Sequence, residues 1–300
     1  MNTKFTRFCL GALWGIFISQ SLFAQTDSTQ LWKVTGATSL GFSNVVLSNW
    51  AGGGDNSLSI SALIDLKADR ETSKSYWSNI FNFKFGVARV GNSDNLFKKT
   101  NDQLIIGTAY NYKFDDHWSL ASGLELRSQV APGYTFFIDA DGKERRDQTI
   151  SQLFAPAYLN TNLGITYKNK ILTATLSPLS NKLTFVLNDS LSQAGAFGVD
   201  PGKKVRSEIG PNFNTKLEFS PIENIIFKSS LLLFTNYQRL GNIDVDWETL
   251  LVFKVNKFFD ASFGTRLIYD DDILIKQDDG TSKIAVQYSQ VLSINFGYKF

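Results

Sequence analysis

Two of the residue types that most often carry out chemistry are nearly missing from this chain: His117 is its only histidine and Cys9 its only cysteine. Zinc fingers, iron–sulfur clusters, structural disulfides and histidine-dependent hydrolytic triads need more of both. His117 lies in Asp115-Asp116-His117-Trp118, which reads as a turn. A barrel phospholipase or an omptin-like protease would need an imidazole at the opposite end of the fold derived below, so His117 reads as a solvated turn residue. Two carboxylate runs invite a metal reading, Asp139-Ala140-Asp141-Gly142 and Asp270-Asp271-Asp272. Neither has the Asp-x-Asp-x-Asp-Gly…Glu spacing of a calcium loop. The first reads as a hairpin tip with Asp-Gly turn chemistry and the second as a hydrated loop. The run Gly198 to Lys204 is rich in glycine and lysine but lacks Walker spacing and its Ser/Thr. No catalytic residue, metal or cofactor is therefore assigned.

The elements that would position any site are legible from the chain's start. Lys4 and Arg7 precede eleven apolar residues, 8–18, and a small residue at Ala24. This is the layout of a secretory signal peptide over residues 1–24, and eleven residues are too few for a helix to cross about 30 Å of hydrocarbon. The mature chain, 25–300, then reads as a single domain without cysteine. A net charge of +2 argues against nucleic acid as a partner. Aromatics make up 14% of the residues while charged residues make up 19%, a combination foreign to disordered chains and to helical membrane bundles.

Periodicity decides the fold class. From Ile284 to Phe300, every second position except Gln290 is apolar or aromatic, and small or polar side chains fill all the gaps but Val291. The same period of two recurs in 102–114, 118–128 and 244–255. Twelve such segments are expected, at 33–43, 56–68, 76–88, 102–114, 118–128, 155–167, 171–178, 209–219, 225–235, 244–255, 259–269 and 284–300. Several exceed soluble strands in length, and their aromatics gather at segment ends, as in a membrane barrel with interfacial girdles. Short and long connections alternate between them. The expectation is all-β: a transmembrane antiparallel β-barrel of about twelve strands, both termini periplasmic, in the cell outer membrane and in contact with its lipid. Phe300, with aromatics at alternate positions behind it, resembles the C-terminal signal read by the barrel-assembly machinery, and it also suits an interface anchor.

The opposite phase faces the lumen on this reading. It carries Asp65, Lys67, Lys84, Glu125, Arg127, Lys216, Glu218, Lys228, Asp246, Glu248, Lys254 and Arg266. Both signs are mixed, whereas a strongly selective pore carries a ring of one sign. Two readings remain open, a narrow lumen crossed by paired charges and purely structural salt bridges. Two loops are candidates for binding. Trp50 precedes Gly52, Gly53 and Gly54, and the expected loop 179–208 contains Phe185 and Phe197 with other apolar residues. That second loop is expected to fold inward as a plug, cover a partner protein, or cap the barrel.

Short motifs in a fixed order add a resemblance. They are Trp50-Ala51-Gly52-Gly53, Pro132-Gly133-Tyr134, Phe154-Ala155-Pro156-Ala157-Tyr158, Ser177-Pro178-Leu179-Ser180-Asn181-Lys182, Gly195-Ala196-Phe197-Gly198-Val199 and Val245-Asp246-Trp247. The mature chain resembles an outer-membrane family of Bacteroidetes catalogued as a domain of unknown function, number 3078. The resemblance implies origin and compartment and supplies no reaction or ligand. The function expected is a porin-like narrow channel, uptake or structural barrel without covalent chemistry. The alternatives are a barrel subunit of an assembly or secretion complex that docks partner proteins and, more distantly, a lipid-modifying enzyme.

Overall fold

A computed structural model describes residues 32–45, 57–91, 96–276 and 281–299. The expected signal peptide, Trp50, Gly52, Gly53, Gly54 and Phe300 lie outside the described residues. Residues Val34–Phe300 form one compact unit.

Twelve strands build the wall. They are β1 (Lys33–Val45), β2 (Ser57–Glu71), β3 (Ser75–Val90), β4 (Lys98–Lys113), β5 (Trp118–Ser128), β8 (Ala157–Lys168), β9 (Leu172–Phe185), β10 (Val205–Phe219), β11 (Ile225–Phe234), β12 (Asp244–Lys254), β13 (Phe259–Tyr269) and β16 (Gln287–Lys299). Hairpin β6 (Gly133–Ile138) and β7 (Glu144–Ser151) and hairpin β14 (Leu274–Lys276) and β15 (Ser282–Ile284) stand outside the wall. A short helix, α1 (Asp189–Gln193), lies between β9 and β10. The wall is antiparallel and closes on itself, with β1 beside β16 and β2. Closure leaves no strand edge with unpaired backbone groups. Among the described residues no helix is long and apolar enough to cross a membrane, which has no bearing on strands.

Burial is inverted relative to a water-soluble domain. Leu40, Ile106, Tyr110, Leu124, Leu163, Trp247, Leu292 and Phe296 are exposed, while Gln103, Ser119, Thr166, Thr184, Glu208 and Asn212 are buried. Alternation explains this: side chains of one phase point out of the cylinder and those of the other point into it. Connections at 72–74, 114–117, 169–171, 220–224 and 255–258 are short, and both chain ends of the wall lie on that side. Aromatics collect there. Trp118 packs on Tyr167 at 5.1 Å, Phe219 on Phe227 at 5.5 Å, and Phe259 on Phe296 at 5.1 Å.

The structure departs from the expected segments at β9. The expected strand 171–178 stops at Pro178, but β9 continues to Phe185. The reason is a pair of register shifts, one between β8 and β9 around Gly164 and one between β9 and β10 at Pro211. Pro178 and Pro211 occupy positions without a ladder partner on β9 and β10 respectively, where a missing N–H costs nothing. The Tyr237 hydroxyl donates to the Pro178 carbonyl at 2.6 Å, which satisfies that group from outside the ladder. The loop expected over 179–208 is therefore only 186–204. The loops expected over 129–154 and 270–283 each contain a hairpin.

Gly210 marks where this region tolerates no bulk, since a Cβ there would collide with the Thr235 carbonyl. At Gly264 the nearest atom to an added Cβ is 3.6 Å away. Gly210→Ala is expected to destabilise the barrel by about 1–3 kcal/mol, and Gly264→Ala to be close to neutral. Urea unfolding in lipid vesicles, read by heat-modifiable gel mobility, measures both; equal midpoints would contradict the packing.

Candidate functional site

The interior phase of the wall assembles two tiers of charge. In the lower tier Arg127 of β5 reaches Asp246 of β12, Nη1 to Oδ2 at 2.8 Å. Five strand-to-strand steps separate β5 from β12 along the wall, so this contact spans the lumen. Arg266 of β13 grips the same carboxylate with two bonds, Nε to Oδ1 at 3.0 Å and Nη2 to Oδ2 at 2.8 Å. Glu248 approaches Arg266 at 3.2 Å and Arg127 at 3.8 Å, and Glu125 approaches Arg127 at 3.7 Å. Bidentate guanidinium–carboxylate contacts are the strong, directional kind. The arrangement is a bar across the interior made of two guanidiniums and three carboxylates.

The upper tier lies toward the long connections. The Lys182 ammonium of β9 donates to Asp244 at 2.6 Å and Asp270 at 3.0 Å and stands 3.8 Å from Glu208. Its charge also faces the Phe234 ring, 5.6 Å from the centroid. Arg206 pairs with Glu208 at 2.8 Å and with Asp272, and Arg239 pairs with Asp272 at 2.7 Å. Asp272 lies in the loop after β13. Partial burial there opposes ionisation, but the Arg206 hydrogen bond and the charges of Arg206 and Arg239 outweigh it and hold the carboxyl below its ordinary value. The triple aspartate run, expected to be a hydrated loop, is instead a knot of ion pairs, because closure brings β9, β10, β12 and β13 around it. Asp244, Asp270 and Asp271 are grouped closely enough to hold a cation, their carboxylate oxygens within 4.8 Å of one another. The Lys182 ammonium already bridges two of the three.

Residues 186–204 form a cap beside this tier. Ala155, Val186 and Val199 make a small apolar core, with Leu191 and Phe197 packed on it. Asn188 caps α1 by accepting from the Leu191 amide at 2.9 Å, and Ser192 Oγ donates to the Lys203 carbonyl at 2.7 Å. Arg206 Nη1 donates to the Gly198 carbonyl at 3.1 Å, linking cap to tier. Lys204 sits 2.7 Å from Asp189, and its hydrogen bond lowers that exposed carboxyl's pKa.

Below the lower tier lies a cavity of about 710 Å³. It runs from Glu125 to the turns at 115–117 and 168–170, and its wall includes Lys67, Asn111, Asn162, Thr173, Asn214 and Lys216. His117 is exposed at its rim, stacked on Tyr167 at 5.7 Å.

The structure thus brings Glu125, Arg127, Glu248 and Arg266 into one cluster, together with Asp246. Lys216 lines the cavity wall, in register with Thr173 and Ser230. Glu218 and Lys228 pair across β10 and β11 at 3.1 Å. Lys254 faces Asp260 in register, and Lys84 faces Leu63 and Gln103. Of the loop candidates, Phe185 is a wall residue at the end of β9, opposite Ala157 and Val205, so its expected loop position is corrected. Phe197 adopts a left-handed backbone, φ 59°, and packs in the cap. Sequence reasoning missed Lys182, Arg206, Glu208 and Asp244. They lay in or beside expected loops, and the inward phase of β9, Thr173, Thr175 and Ser177, resumes at Ser180, Lys182 and Thr184 only after a one-residue shift at the bulge.

Residues 42–134 match the family described as "Protein of unknown function (DUF3078)". No curated protein matches the chain in sequence. Among solved structures the chain is similar to the COG4313 outer membrane channel from Pseudomonas putida F1, at 9% identity and TM-score 0.40, covering 92% of this chain and 100% of that one. It is also similar to the NanC porin, at 9% identity and TM-score 0.35, covering 87% and 98%. A third is the translocator domain of the autotransporter NalP from Neisseria meningitidis, at 10% identity and TM-score 0.33, covering 98% of each chain.

Asp246 holds both arginines of the lower tier. Asp246→Ala is expected to lower barrel stability by about 3 kcal/mol by leaving two guanidiniums short of their shared carboxylate. Asp246→Glu should recover part of that loss. Urea midpoints in vesicles measure it, and an unshifted midpoint for Asp246→Ala would show that the tier does not stabilise the wall.

Proposed function

We propose that this chain is an outer-membrane barrel that acts without covalent chemistry, as a narrow solute path held shut by its own side chains. The observation that carries this reading is the Arg127–Asp246–Arg266 bar across the lumen, with the Lys182 and Arg206 tier beyond it. A polar cavity reaches the short-turn end and stops at that bar. A permanently open pore would leave its midsection unobstructed, and a purely structural barrel would have no need of a cavity this large. The exposed Leu, Ile, Trp and Tyr of the outer face support lipid as the surrounding solvent. Residues 1–24 serve as the export signal, the short-turn end with both termini faces the periplasm, and the barrel-assembly machinery is the partner during insertion. The resemblance of the motif order to a Bacteroidetes outer-membrane family supports the same compartment.

One observation favours the alternative of a subunit that docks partner proteins. The β6–β7 hairpin stands beyond the wall with Phe137 and Ile138 exposed, the latter 73%. Mild-detergent purification followed by mass spectrometry, with Ile138→Ser as the comparison, tests that role.

Planar-bilayer recordings test the main reading. The wild-type barrel is expected to conduct little at low voltage, and the charge-neutral double variant Arg127→Ala/Asp246→Ala to show steady openings. If the folded double variant stays as silent as the wild type, the interior is a closed scaffold and not a gated path.

A further inference from the structure

Most charges along the short-turn cavity already have partners. Lys67 pairs with Asp69 at 2.8 Å, Lys113 pairs with Glu71, and Glu125 faces Arg127. Asp115, at the rim, accepts from the His117 backbone amide at 3.1 Å. Two wall lysines are different. Lys168 of β8 and Lys216 of β10 both line the cavity, and neither lies within ion-pairing distance of a carboxylate among the described residues. The Lys168 ammonium rests 3.9 Å from the Tyr76 ring centroid, a contact that holds the cation without neutralising it. Tyr76 is itself fixed: it accepts from Lys67 at 3.1 Å and donates to Asp69 at 3.0 Å.

Strand register places these two lysines on either side of one hydroxyl. Thr173 of β9 is the partner of Lys168 on one side and of Lys216 on the other. Two strand spacings of roughly 4.8 Å separate the lysine Cα atoms by roughly 10 Å, which two lysine side chains can close onto a single ligand. Asn162 and Asn214 add amide donors to the same wall, and of Thr166 and Thr175, hydrogen-bonded to each other at 2.7 Å, one hydroxyl is left to donate. The other charged groups facing the space are Lys170, Asp115 and Asp116 at the exposed rim. Glu71 and Asp69 also act on Lys168, but each already pairs with another lysine, so Lys168 and Lys216 leave this wall with surplus positive charge that an anion bridging them neutralises.

We propose that the short-turn cavity is a binding site for a small polyvalent oxyanion, a phosphate or a dicarboxylate, held between Lys168 and Lys216 over Thr173. The proposal rests on the reading of the interior as a solute path and names what the path would admit. It does not require conduction: a barrel that binds anions and never conducts would overturn the path alone.

Calorimetric titration of the folded full-length barrel in detergent with inorganic phosphate, at low ionic strength and above neutral pH, tests it. One site per barrel is expected. Lys168→Ala and Lys216→Ala should each weaken binding about tenfold, the double variant should lose it, and Lys168→Arg/Lys216→Arg should retain it. Lys283→Ala, an equal charge change on the exposed β15, should bind as the wild type does. Heat-modifiable gel mobility shows that each variant is folded. Failure of the wild type to bind phosphate or, as a second probe, succinate would overturn the site. Binding that survives the double alanine variant, or that Lys283→Ala weakens as much, would overturn its location.

Discussion

Closure of the backbone ladder is the constraint from which everything else follows. Once β1 pairs with β16 and β2, the wall satisfies its own backbone hydrogen bonds and has no edge to offer. The outer face can then be given wholly to hydrocarbon side chains, and the inner face must manage the polar ones. That accounts for a structure in which Trp247 and Leu292 are exposed while Glu208 and Asn212 are buried. The apolar cluster of Ala155, Val186 and Val199 lies where the cap packs on the segment before β8, and not inside the wall.

Closure also concentrates charge. Side chains from strands far apart along the wall converge on the axis, and opposite signs must meet there or leave a desolvated ion. The Arg127–Asp246–Arg266 bar answers that requirement in the middle of the barrel, and Lys182 with Asp244 and Asp270 answers it above. The two ends consequently differ. The long-loop end is drawn together by ion pairs and covered by residues 186–204, whereas the short-turn end keeps an open cavity with two lysines that form no ion pair among the described residues. Whatever passes or binds meets the lysines first from one side and the ion-paired knot first from the other.

Much of this was legible in the sequence because alternation is a local property. The inward phase of β5, with Glu125 and Arg127, and of β12, with Asp246 and Glu248, can be read from neighbours two residues away. Partner identity cannot, since Arg127 and Asp246 are 119 residues apart and meet only because the wall closes. The upper tier was hidden by local chemistry that misleads. Pro178 and Pro211 ordinarily end strands, and here they occupy unpaired positions at register shifts, so β9 and β10 extend into what reads as loop. Lys182, Glu208 and Arg206 went unseen with that extension. Phe185 and Phe197 were conspicuous as greasy loop residues, yet one belongs to the wall and the other to the cap's own core.

The claim beneath all of these is that the outer face meets hydrocarbon. Reconstitution into vesicles whose acyl chains carry bromine tests it through Trp77 and Trp247, both on the outer face and exposed. Variants keeping either one as the sole tryptophan, alongside the wild type, should show fluorescence strongly quenched by brominated chains and unaffected by a water-soluble quencher. A mature chain that stays dissolved without detergent, with tryptophans untouched by bromine, would contradict the account.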